Sequence, residues 1–395
     1  MKVLLICNYK SGVGGISGQV EILQRKLREE GHTADIFSTK GSFFWRLGLF
    51  CRLRNVAKRY DVLHIHCCSG WGFLPAVVGV TVGRLFKKRV VLTYHGGGGE
   101  KFFDKHPKLV RHYLTRTDAN IVLSGFLASV FDKHDLPHTI IPNIIELDER
   151  QYRERTTIHP HFICTRAHEP LYNIPCILRA FQKTLTEIRI AQSKLKKHSK
   201  ISNTSQSELK ELSELMSLSG SSVSRAQCHA CMNNAEMEER RRSQIPKLSE
   251  ATLTLVGDGS EHEALMQMVN EMGLKNVIFT GRVDNSEIYR YLNQSDIFLS
   301  APTVDNMPVS VLEAMNAGLL VISSRVGGVP YIIKNGNNGL LFDSDDSDKL
   351  AELMLWTIEN QSLSKTMIQK AHKDVNRYRW EGIKEQLYSV YGISA

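Results

Sequence analysis

No apolar run in this chain is long enough to cross a bilayer. The longest, from Phe73 to Gly83, falls well short of the ~20 residues a spanning helix needs. No secretory leader is expected, because the opening run Val3–Cys7 is shorter than the roughly 7–15 apolar residues of a signal core. The eight cysteines are not spaced as a secreted disulfide framework. These absences point to the cytoplasm. An excess of acid is absent as well: the net charge is +9 and the pI near 9.1. A basic balance suits nucleic acid, anionic lipid or a phosphorylated substrate, and its sign alone does not choose among them. What remains is ordinary globular composition, 395 residues with 42% hydrophobic and 23% charged, enough for two or three domains of about 100–200 residues.

Through the first 150 residues, short β-rich runs alternate with helical patterns. The runs are Val3–Cys7, Ala34–Ser38, Val62–His66, Val90–His95, Ile121–Ser124 and Thr139–Pro142. Between the first two, Val20, Leu23 and Leu27 share one face of a helix that Gly31 can stop. Alternation of this kind predicts a doubly wound parallel sheet. A polar stretch at Glu146–Pro160 reads as a linker, and the pattern then restarts with Phe162–Thr165, Leu253–Val256, Val277–Thr280, Ile297–Ser300, Leu320–Ser323 and Leu340–Phe342. Helices are expected at Pro175–Leu185 and Glu261–Met272, and Asp284 to Glu287 has the spacing of a capping box. One stretch, about 189–247, is polar and poor in β-branched and aromatic residues, so it reads as a surface insertion. The expected division is therefore 1–150, 158–374 with that insertion, and a C-terminal helix within 375–395 that crosses back to the first domain.

The most informative segment runs from Ser300 to Gly339. Pro308 can open a helix and Gly318 can close it, which puts Glu313 in the first two turns and Asp305 in the loop before. Exposed helix N-terminal amides attract phosphate, while carboxylates accept hydrogen bonds from sugar hydroxyls. The bland alternative is a pair of acids retained for capping and solubility.

This segment resembles the signature of glycosyltransferase family 4. That pattern has two glutamates with seven residues between them, then EAM-x-x-G, GG-x-P and NG-x-x-G-L-L. Here Glu313-Ala314-Met315 with Gly318, Gly327-Gly328-Val329-Pro330 and Asn338-Gly339-Leu340-Leu341 match, and Asp305 takes the place of the first glutamate. The resemblance implies two Rossmann-like α/β domains facing across a cleft (the GT-B fold) and a retaining sugar transfer from a nucleotide diphosphate. It also implies roles. Glu313 would bind the donor ribose, and Asp305 with Asn306, Met307, Pro308 and Val309 would meet the transferred sugar and diphosphate. His95, which ends a strand ahead of four glycines, would contact the donor sugar. Arg166 would grip the diphosphate, with Tyr172 standing where the family has a lysine. Gly257 and Arg282 would lie at the base, although a plain turn explains Gly257 equally well. Gly14 and Gly15, in the glycine-rich first loop, would face the phosphates. Catalytic roles fall to His95, Arg166, Asp305 and Glu313.

Partners implied by the resemblance are a UDP- or GDP-linked sugar and a saccharide or lipid-linked acceptor, with no nucleic acid, metal or other cofactor. Cell-envelope or polysaccharide biosynthesis is the setting this suggests. The segment Phe43–Arg54, with Arg84, Lys87, Lys88 and Arg89, is either an amphipathic dock for an anionic membrane or a buried helix with solvent-facing arginines. His64 and His66 alternate on one strand and read as structural or cleft-lining. Cys228 and Cys231 lack the second ligand pair of a zinc site. A nicotinamide enzyme would need an acid after the second strand, where Thr39, Lys40 and Gly41 stand. A non-catalytic nucleotide-sugar-binding relative remains the rival reading.

Overall fold

The computed structural model describes residues 1–10, 15–41, 48–146, 151–193 and 251–393. Gly14, the start of the Phe43–Arg54 segment, and Cys228 and Cys231 of the insertion lie outside the described residues.

Six strands make the first sheet: β1 (Lys2–Cys7), β2 (Thr33–Ser38), β3 (Val62–Cys67), β4 (Arg89–Tyr94), β5 (Ala119–Val122) and β6 (Thr139–Ile140). They run in the order β2-β1-β3-β4-β5-β6, and the pairs are parallel, with Leu5↔His64 and His64↔Val91 in register. Strand side chains alternate between faces, so an apolar run of six can fill two cores at once. Leu4, Ile6, Leu63 and Ile65 pack with helices Leu49–Ala57 and Leu74–Leu85. Val3, Leu5, Cys7 and Val62 instead pack with helix Ile16–Glu29 and with the C-terminal helix Trp380–Tyr391, through Trp380, Ile383, Leu387 and Tyr391. Helix Leu74–Leu85 lies so close to the sheet that a Cβ at Gly83 would stand 2.3 Å from Val90 Cγ2. Strand order reverses between β1 and β3, and in such sheets ligands bind beyond the carboxyl ends of the strands at that point.

The second sheet holds β7 (His161–Cys164), β8 (Thr252–Val256), β9 (Val277–Gly281), β10 (Ile297–Ser300), β11 (Leu320–Ser324) and β12 (Leu340–Phe342). Its order is β12-β11-β10-β7-β8-β9, with the reversal between β7 and β10. By packing, the chain divides into two compact units. One comprises Met1–Glu154, Ser300–Ser344 and Met367–Ala395, and the other Arg155–Leu299 and Asp345–Thr366.

Two local expectations are corrected. The helix after β7 runs through all the described residues from 174 to 193 rather than stopping at Leu185. Asp284 does not cap with its side chain: the turn Asn285–Glu287 is a 3₁₀ element closed by Glu287 N donating to the Asp284 carbonyl at 2.9 Å. A backbone turn already satisfies that amide, so the carboxylate has nothing left to cap.

Candidate functional site

In the first unit, three histidines line the ends of β3 and β4. His64 is buried and doubly bonded, Nδ1 to Tyr391 Oη and Nε2 to Thr93 Oγ1, both at 2.7 Å. His66, on the same face, bonds through Nδ1 to His95 Nε2 at 3.0 Å. Its own Nε2 is buried with no hydrogen-bond partner. Burial drives all three toward the neutral imidazole: His64 is pushed down to about 3, His95 to about 4, and His66 well below its ordinary value. In the His66–His95 bond one ring therefore donates and the other accepts. The rings border a cavity of about 40 Å³ with Gln19, Asn143 and Thr93, room for two or three waters at ~10–15 Å³ each.

The turn after His95 leads directly to the motif segment. A Cβ at Gly97 would lie 2.9 Å from Val304 Cγ1 and 3.6 Å from Asn306 N. Ser124 Oγ, just past β5, donates to Asn306 Oδ1 at 2.6 Å. The two glycines of the GG-x-P run form the opposite wall. Gly328 N donates to Asp305 O at 3.0 Å, and a Cβ at Gly327 or Gly328 would fall 1.9 Å from Asp305 O or 1.7 Å from Asn306 O. These glycines are thus required by the close passage of the Asp305–Asn306 backbone. Pro308 then opens helix Val309–Asn316 without a side-chain cap, while Val311 N donates to its carbonyl at 3.2 Å. Glu313 is half-buried on that helix, and Met307 and Pro308 are buried. Two further buried polar atoms here have no partner in the protein, Asn306 Nδ2 and Ser310 Oγ. Asn338 plays a scaffolding part: its Oδ1 accepts from Lys334 N at 2.7 Å and its Nδ2 donates to Asp374 at 2.8 Å. Arg325 faces Asp343 at 3.8 Å.

The second unit holds the other site residues. Arg166 follows β7, and its guanidinium carbon stands 4.6 Å from the centre of the Tyr172 ring. Gly257, at φ 145, donates to Gly281 O at 3.0 Å and passes close over Arg166, where a Cβ would lie 2.3 Å from the carbonyl oxygen. Only glycine fits that turn. Arg282 is exposed just beyond β9. Beside these, His168 Nδ1 and His262 Nδ1 are 2.8 Å apart with their rings stacked, and the buried His168 Nε2 has no partner. Gly15, at φ 69, is the cap of helix Ile16–Glu29.

The structure brings His95, Asp305, Asn306, Met307, Pro308, Val309 and Glu313 into one unit, and Arg166, Tyr172, Gly257 and Arg282 into the other. Sequence reasoning missed Ser124, Tyr391 and the pairing of His66 with His95. For His66 the signal was present in its alternation with His64. Ser124 carried none. Among the described residues, no group of three or more His, Cys, Asp or Glu could hold a metal ion.

Residues 39–149 match the family model Glycosyltransferase Family 4, and residues 240–374 match Glycosyl transferases group 1. The N-acetyl-alpha-D-glucosaminyl L-malate synthase of Bacillus anthracis is 31% identical over 144 residues, 36% of this chain and 37% of that protein. The chain thus aligns with little more than a third of this curated relative. Solved structures align along nearly the full length. HepE of Anabaena, in complex with UDP, gives a TM-score of 0.67 at 16% identity over 99% of this chain and 100% of that one. Sucrose-phosphate synthase of Thermosynechococcus elongatus gives 0.71 at 16% identity, covering 99% and 98%. At such identities the likeness is one of fold.

Proposed function

We propose that this chain, a member of glycosyltransferase family 4, transfers a sugar with retention from a nucleoside diphosphate donor to a glycan or lipid-linked acceptor. The observation that carries this reading is a set of buried polar atoms left without protein partners around the motif loop. Buried polar groups are nearly always bonded, yet Asn306 Nδ2 and Ser310 Oγ of the motif segment are not. The loop holding Asn306 opens a helix that no side chain caps. A polyhydroxylated anion satisfies such a set, whereas a purely apolar ligand does not. The UDP and UDP-glucose complexes of HepE favour a uridine donor as the first to try.

In this reading Glu313 accepts hydrogen bonds from the ribose, and Asp305 from a hydroxyl of the transferred sugar. The helix amides beyond Pro308 and the Arg166 guanidinium stabilise the departing diphosphate. The acceptor hydroxyl attacks the anomeric carbon from the face the diphosphate leaves. The carbon–phosphate oxygen bond breaks, and the hydroxyl proton passes to a phosphate oxygen, giving the nucleoside diphosphate. His95, held neutral by burial, serves as a hydrogen-bonding group for the sugar and not as a cationic acid. No metal or other cofactor has a part in it. The test is transfer and hydrolysis with UDP-, GDP- and ADP-sugars beside a Glu313→Ala control. Product from one donor that vanishes in the control supports the reading. Tight nucleotide binding with no turnover across the panel would favour a non-catalytic relative, with Tyr172 in the lysine position as its sequence cause.

An anionic membrane surface belongs to the same proposal. Helix Leu49–Ala57 buries Leu49, Leu53 and Ala57, which leaves its arginines outward. Beside it, Arg84, Lys87, Lys88 and Arg89 line a recess of about 420 Å³ with one acid, Asp118. Among the described residues no helix is long and apolar enough to cross a membrane. Sedimentation with phosphatidylglycerol vesicles at low salt tests docking. Binding lost on Lys87→Glu/Lys88→Glu supports it, and absence of binding by the parent ends it.

A further inference from the structure

Where the family pattern has a second cation, this chain has an aromatic ring, and the ring lies on the first cation. Tyr172 ends the 3₁₀ turn Pro170–Tyr172, which Tyr172 N closes by donating to Glu169 O at 2.9 Å. The next residue, Asn173, adopts the left-handed region at φ 46, and its Nδ2 donates to Asp345 Oδ1 at 3.1 Å. Arg179 holds the same carboxylate at 2.8 Å. The turn that carries Tyr172 is therefore anchored on both backbone and side chain. Its ring centre is 4.6 Å from the Arg166 guanidinium carbon, inside the ~6 Å range of an effective cation–π contact. From the backbone side, Gly257 leaves no more room over the Arg166 carbonyl than a hydrogen atom requires.

Geometry decides what such a contact does. The guanidinium carbon lies over the ring face, while the N–H bonds fan outward in the guanidinium plane. A ring packed against the guanidinium carbon restricts the rotamers of a long side chain, whose outward N–H bonds suit two phosphate oxygens. A lysine at the same position would add charge without orienting its neighbour. We propose that Tyr172 is a positioning residue that holds the Arg166 guanidinium edge-on to the donor diphosphate, replacing a second cation with orientation of the first. This rests on the reading of Arg166 as the diphosphate ligand.

Calorimetric titration of the full chain with UDP, GDP and ADP, and with the matching nucleosides, tests both layers. The series is the parent, Tyr172→Phe, Tyr172→Ala, Arg166→Ala and the Tyr172→Ala/Arg166→Ala double variant. The expected result is a nucleoside diphosphate affinity about 2- to 30-fold weaker in Tyr172→Ala, the range a cation–π contact spans. Tyr172→Phe keeps the ring and stays within about 2-fold of the parent. Nucleoside affinity is unchanged in both. In the Arg166→Ala background the Tyr172→Ala change has no further effect, because its action passes through the arginine. A Tyr172→Phe variant as weak as Tyr172→Ala would assign the effect to the hydroxyl and overturn the proposal. An equal loss in both arginine backgrounds would make Tyr172 a structural or direct contact and overturn it too. Arg166→Ala with parental diphosphate affinity, or a parent that binds none of the three diphosphates, would remove the donor reading and the proposal with it.

Discussion

The Asp305–Pro308 loop and the Arg166–Tyr172 corner both carry motif residues, and they are built differently. The loop is seated by backbone: Gly97, Gly327 and Gly328 let neighbouring turns touch Val304, Asp305 and Asn306, and Ser124 pins the asparagine. Its one departure from the family pattern, Asp305 for glutamate, changes a side chain by one methylene and leaves that seat intact. The corner also has a backbone seat, at Gly257. Its working group, however, is a long side chain whose guanidinium packs over the Tyr172 ring. A functional element fixed by main chain tolerates change around it, whereas one fixed by a side-chain contact is open to replacement of its partner. The lysine-to-tyrosine departure lies in the second kind of region.

The sharpest way to break the comparison is at the glycines. Gly328→Ala and Gly257→Ala each force a Cβ against a carbonyl oxygen, at 1.7 Å and 2.3 Å, where no side chain can yield. Each should cost about 3 kcal/mol or more in urea unfolding, the upper range for overpacking. Gly98→Ala, with nothing within 4 Å and an ordinary backbone, should stay within about 0.5 kcal/mol. Equal effects at all three sites would contradict the seating argument.

Acid sharpens the contrast within the first unit. His64 titrates at about 3 in the fold against an ordinary value of 6.5, so between those values the unfolded chain binds a proton that the folded chain does not. Its contribution is present above pH 6.5 and is lost as pH falls. At pH 5 the loss is about 2 kcal/mol, at ~1.36 kcal/mol per unit. The difference in unfolding free energy between pH 7 and pH 5 should shrink by that amount in His64→Gln. An unchanged difference would mean that this histidine is not held neutral.

A smaller effect belongs to the pin itself. Ser124→Ala removes one buried hydrogen bond to Asn306 and should cost about 1 kcal/mol. Tyr172→Ala, at a half-buried surface turn, should cost about 0.5 kcal/mol or less in stability while weakening diphosphate binding. A stability loss above that of Ser124→Ala would reverse the proposed ranking of the two regions.

Much of the fold was legible because buried parallel strands are short continuous apolar runs. Ile297–Ser300 and Leu340–Phe342 were read with the bounds the structure gives. The helix carrying Glu313 was legible from Pro308 and Gly318, since both act through local backbone chemistry. The helical continuation of 174–193 past Leu185 was not, because Thr186, Glu187 and Arg189 obscured the buried Ile188 that extends the apolar face. Asp284 misled for the opposite reason, a local signal outcompeted by a backbone turn. In the site, the glycine pair 327–328 was recognisable as a motif but not as a seat for Asp305 and Asn306, which lie about twenty residues earlier in the chain. The Ser124–Asn306 bond and the His64–Tyr391 bond join residues 182 and 327 positions apart. No periodicity or cap encodes contacts of that range. The contact of Tyr172 with Arg166 is nearer in sequence, yet it crosses the 3₁₀ turn Pro170–Tyr172, which no periodicity announced.

The most direct test of the central claim is sugar transfer from a panel of UDP-, GDP- and ADP-linked donors, measured with the parent chain and with Glu313→Ala. The account predicts product from one donor class and a fall of about 100-fold in kcat/KM in the variant, as expected for loss of charge-assisted hydrogen bonds to the donor. Equal turnover in parent and variant would contradict it.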